Sequence, residues 1–76
     1  LNKAERANHL LMDEFFMDEI NVMRESYRQT IENSRPDDYD IRESAYRSLR
    51  TVNEIVSHFE SLAVQKEIDK KRLRIF

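Results

Sequence analysis

Four carboxylates crowd the stretch LLMDEFFMDEI, Leu10 to Ile20: Asp13, Glu14, Asp18 and Glu19. Two hard oxygen donors on one helical face can hold a divalent cation, so a metal or acid–base cluster is the first chemistry to weigh. Helical spacing argues against it, because only Glu14 and Asp18 stand one turn apart and the other two diverge around the axis. A helix cap plus a solvated acidic face accounts for all four.

Two segments match Glu-x-x-x-His, ERANH (Glu5, His9) and EIVSH (Glu54, His58). Helical bundles that hold two metals use Glu-x-x-His with further glutamates pointing inward from partner helices. Here the spacing is one longer and the apolar stripes supply no core glutamate, so a surface Glu–His hydrogen bond is the simpler expectation. No Ser/His/Asp, Cys/His or glycine-rich phosphate motif can be assembled. The expectation is a non-enzymatic protein with no catalytic residue, metal, cofactor or small-molecule substrate.

Lys66, Lys70, Lys71, Arg72 and Arg74 gather near one end, in KEIDKKRLRIF. Such a cluster can contact nucleic-acid phosphates or the acidic first half of a neighbouring subunit. Cations complementing a helix C-terminus are the bland alternative. Membrane attachment is not expected, since Leu73, Ile75 and Phe76 make a small anchor with no long basic amphipathic face before it.

The elements that position these groups follow from periodicity. Phe16, Ile20, Met23, Tyr27 and Ile31 recur every three or four residues and share one helical face. Ala4, Ala7 and Leu11 share another, which in one straight helix would point roughly 160° away. A break near Met12–Asp13 reconciles them, with Asp13 capping a new helix and Glu14 in its first turn. LLMDEFFMDEI is then apolar nearly all round because it is a junction, or because neighbours cover several sides. Turn chemistry appears in NSRPDDYD, where Pro36 disfavours helix at Arg35, and Asp37, Asp38 and Asp40 are all credible caps, the last in a capping box with Glu43. Ala45, Leu49, Val52, Val56, Phe59 and Ala63 then form a coiled-coil-type seam widened by Ile55 and Leu62, while Tyr39 and Tyr46 are expected near the turn. The predicted organisation is one all-α domain over 1–76: a short helix at 2–12, a long helix at 14–33, a turn at 34–38, a second long helix at 39–66 and a basic tail at 67–76. The long pair is expected to form an antiparallel helical hairpin.

Composition points the same way. The 76 residues include no glycine, no cysteine and one proline, which favours helix and removes disulfide and thiolate-metal support. No apolar run approaches the about 20 residues of a membrane span, so a soluble intracellular protein is expected. The chain opens at Leu1 rather than Met, which suggests a short leader ahead of it. Net charge is −2 but polarised, at −5 over residues 1–40 and +3 over 66–76. A chain this short struggles to bury a core alone, so oligomerisation into a bundle or ring is expected. Ala4, Ala7, Leu11, Phe15, Met17, Ile55 and Leu62 are the candidate subunit or partner contacts.

Arg6-Ala7, Leu10-Leu11, Asp13, Pro36 with Asp38, and Arg42-Glu43 followed by Tyr46 make a pattern that resembles a group of small helical proteins of tailed phages and prophages. The resemblance covers about residues 5 to 62. The group tends to have proline after the aspartate, where this chain has Glu14, and the segment after Lys66 lies outside it. It implies a phage protein acting in DNA packaging or particle assembly, comparable to a small terminase subunit, with basic ends touching DNA. The implied setting is the cytoplasm of an infected bacterial host cell or the assembling virion. A competing expectation is a regulatory adaptor that binds a host or phage protein through the apolar surface around Phe15 and Met17.

Overall fold

The computed structural model describes the main chain of residues 2–75 and the side chains of residues 2–64. It is all-helical: α1 (Lys3–Met12), α2 (Glu14–Glu32) and α3 (Tyr39–Ile75), with no strand among the described residues. The side chains of 65–76, where the sequence reading placed the end of the second long helix and the basic tail, lie outside the described residues.

Local side-chain chemistry sets each boundary. Asn2 caps α1 by accepting the Glu5 N–H on its side-chain oxygen at 2.8 Å, satisfying a donor the first turn leaves orphaned. At the other end Asp13 is extended, with φ −72° and ψ 116°. Its N–H donates to Leu10 C=O at 3.2 Å, while its Oδ1 accepts the Phe16 N–H at 2.8 Å. One residue therefore closes α1 and opens α2. This bend turns both apolar stripes to the same side, so that Ala7 is buried and Leu11 and Phe16 both meet the shared core.

Between α2 and α3 the chain turns without glycine. Asp38 N–H donates to Arg35 C=O at 3.0 Å, enclosing Pro36 and Asp37 in a tight turn that matches proline's fixed φ. Of the three cap candidates Asp38 precedes α3, and its carbonyl accepts the Arg42 N–H at 3.1 Å. Its carboxylate, however, reaches back to the Arg35 N–H at 2.9 Å, so it braces the turn. Arg42 locks this turn from above. Its Nη1 donates to Ser34 Oγ at 2.9 Å and Arg35 C=O at 3.1 Å, and its Nη2 to Pro36 C=O at 3.3 Å. The guanidinium also stands 5.6 Å from the centre of the Tyr39 ring, a cation–π distance.

Packing follows one line along α3. Near the turn, Ile31 shares a hollow with Tyr39 and Tyr46; further on, Ile20 packs on Val52 and Val56; beyond that, Ala7 and Leu10 face Phe59 and Leu62. Moving back through α2 and α1 thus moves forward along α3. Leu11, Phe16, Met17 and Tyr27 surround the Ile20–Val52–Val56 cluster, and Ala45 is buried closer to the turn. The Arg24 side chain adds a polar link between α2 and α3, donating to Asn53 Oδ1 at 2.8 Å. Met23 and Ile55 depart from the expected seam, remaining 40% and 47% exposed. They sit at its edge, where α3 has no second helix to cover them.

The molecule measures 60 × 22 × 14 Å, and among the described residues no large side chain is fully buried. In a body 14 Å thick every side chain stays near solvent, so its hydrophobic stabilisation comes from a few partly shared contacts. Replacing Ile20 with Ala should cost about 2–3 kcal/mol, the low end for an isoleucine truncation because the core around it is thin. Val22→Ala, on the exposed side of the same helix, should stay within about 0.5 kcal/mol; urea unfolding measures both. Arg42→Ala should cost about 1 kcal/mol, discounted for partial exposure, and should speed amide exchange in residues 33–38 more than elsewhere.

Candidate functional site

The carboxylates of the opening stretch do not converge. Asp13 is spent on the α2 cap, Glu14 lies in the first turn where the helix dipole favours it, and Asp18 and Glu19 are exposed. The two histidines are likewise exposed and far apart in use. His9 sits in the last turn of α1, while His58 sets its ring edge 5.6 Å from Phe59. Glu54, expected to bond His58, instead accepts Arg50 Nε at 3.2 Å. Among the described residues no three His, Asp or Glu side chains gather closely enough to hold a metal ion.

The hollows on the surface are open and lack convergent chemistry. One runs between α2 and α3 over Met23, Tyr27, Val52 and Ile55, with Glu43 and Arg47 on its rim bonded to each other at 3.0 Å. Another, beside the turn, is lined by Ile31, Tyr39 and Tyr46. Neither encloses a nucleophile–base pair, and among the described residues no buried side-chain polar atom lacks a partner. No helix among the described residues is long and apolar enough to cross a membrane.

The surface that remains is apolar and acidic. Phe15 is 77% exposed, Met12 73% and Val22 59%. Phe15 and Val22 are seven residues apart and therefore share the face of α2 opposite the core; Met12 adjoins them across the Asp13 bend. Residues 7–23 contain four carboxylates and no Lys or Arg, with Arg6 and Arg24 flanking that span, so the charge beside this apolar stripe is mainly negative. Of the candidate contact residues, Phe15 and Ile55 are exposed and Ala4 and Leu62 half-buried. Ala7 is buried, and Leu11 and Met17 pack on the core of their own chain. The sequence reading did not single out Met12 and Val22, because they fall off the core stripe; their seven-residue relation to Phe15 was the available signal. Lys66, Lys70, Lys71, Arg72 and Arg74 have side chains outside the described residues.

The expectation that the chain holds no metal is tested by adding zinc. Zinc at micromolar excess should leave the unfolding midpoint unchanged in the native chain and in His58→Ala alike, whereas a site loaded at one hundred times its Kd would add about 2.7 kcal/mol. No family model matches the chain, and no curated protein or solved structure matches it.

Proposed function

We propose that this chain is a non-enzymatic, self-associating assembly protein whose α2–α3 hairpin is one component of a larger bundle or ring. The observation that supports it most directly is the thin, incompletely buried core. Among the described residues only Ala7, Ile20, Ala45, Val52 and Val56 are buried, while Met12, Phe15, Val22, Ile41 and Ile55 stay open to water. Association is the economical way for a small chain without disulfides or metal to cover such residues.

The resemblance to small proteins of tailed phages directs this reading toward DNA packaging or particle assembly, in a role like that of a small terminase subunit. In that role the cations at Lys66, Lys70, Lys71, Arg72 and Arg74 touch DNA phosphates, and the protein works in the infected bacterial cell or on the assembling virion. The exposure of Phe15 favours a second reading, a regulatory adaptor that binds a host or phage protein through this apolar side chain.

Absolute mass by light scattering tests the first reading. Micromolar protein is expected to run as an oligomer, and a stable folded monomer across the micromolar range would overturn self-association. DNA contact should appear as a gel shift that weakens with salt, by about −0.9 in logarithmic slope per phosphate contacted, and that disappears on deletion of residues 66–76. Salt-insensitive binding of one protein partner, lost in Phe15→Ala, would favour the adaptor.

A further inference from the structure

We infer that the acid-rimmed apolar stripe of α2 is the docking surface for residues 66–76 of a second copy of this chain. The inference rests on the self-association proposed above and assigns the contact that produces it. The stripe offers Met12, Phe15 and Val22, all exposed, with Glu14, Asp18 and Glu19 beside them. The segment KEIDKKRLRIF offers the matching set in opposite charge: Leu73, Ile75 and Phe76 interspersed with Lys70, Lys71, Arg72 and Arg74. Residues 66–76 carry +3 and residues 1–40 carry −5, so charge complementarity selects this segment as the occupant.

The geometry makes the occupant a second molecule. Leu11 and Phe16, on either side of the Asp13 bend, pack against the cluster that contains Val56. From Val56 the helix α3 runs on to Ile75. At 1.5 Å per residue, positions 70 to 75 lie about 21 to 28 Å farther along the axis, out of reach of the stripe on their own chain. Such a contact closes a two-fold dimer when both copies reciprocate it, and builds a ring or open filament when it runs head to tail.

The test is sedimentation of the full chain at about 100 and 500 mM salt, across which the Debye length shrinks more than twofold. The native chain is expected to associate at low salt and to weaken at least about tenfold at high salt. Asp18→Lys with Glu19→Lys, both exposed and outside the core, should weaken association at least about tenfold while leaving the helical circular dichroism unchanged. Lys70→Glu with Lys71→Glu should do the same, and the chain carrying all four reversals should associate again. An oligomer indifferent to both reversed pairs would overturn this contact and leave self-association standing. A native chain monomeric in all conditions would overturn both.

Discussion

Burial along a single seam of α3 is the constraint from which the rest of the molecule follows. α1 and α2 are laid end to end on that seam, and Ile20 against Val52 and Val56 is where their contributions join. The cluster itself is buried, but within a thickness of 14 Å the side chains that flank it stay partly open to solvent. Partial exposure of Met23 and Ile55 is the direct consequence, since a stripe wide enough for two neighbours meets only one. The same shortage explains why no large side chain among the described residues is fully enclosed.

With so little core, alignment depends on polar groups at the helix ends. Arg28–Glu25, Arg47–Glu43 and Arg50–Glu54 are all exposed pairs within one helix, each worth a few tenths of a kcal/mol and silent about how helices meet. Asp13 and Arg42 act differently. Asp13 fixes the angle between α1 and α2 by ending one and capping the other, and Arg42 ties α3 to three groups of the preceding loop. Glycine commonly supplies tight reversals through its freedom in φ, yet no described residue adopts positive φ. Proline in the Arg35–Asp38 turn and hydrogen bonds from side chains supply the reversal instead.

The helices were legible in the sequence because their signals are local. Three- and four-residue apolar spacing marked the core faces, the opposed directions of Ala7 and Phe16 required a bend, and Asp13 was the residue able to cap it. The structure places both ends of α1 and α2 and the start of α3 within one residue of the boundaries that such signals define, but α3 runs on to Ile75 instead of ending at 66. What the sequence reading could not resolve depended on distances across the fold. Three aspartates could each have capped α3, and the choice rested on Asp38 being held by Arg35, whose own position the turn determines. Arg42 was noticed only for its place in a motif, because a clasp formed by one side chain and a loop has no periodicity. Assigning Ala7, Leu11 and Met17 to a subunit contact was natural from their spacing, but the bend at Asp13 lets α3 of the same chain cover them.

That last point narrows what the outer face of α2 is for. If Ala7, Leu11, Phe16 and Met17 meet α3, the apolar richness of LLMDEFFMDEI divides into a share that packs within the chain and a residue left over: Met12 and Phe15, with Val22 one heptad on. These leftovers add nothing to the seam, and in water they favour nonspecific contacts unless something covers or disfavours them. Four carboxylates, with no Lys or Arg between Arg6 and Arg24, give the second effect, because they repel a like surface and so oppose pairing of two such faces with each other. A symmetric contact through this stripe is therefore the unfavourable one. Only a partner of opposite sign gains from the apolar contact without incurring the repulsion, and the chain's own positive charge is concentrated in residues 66–76.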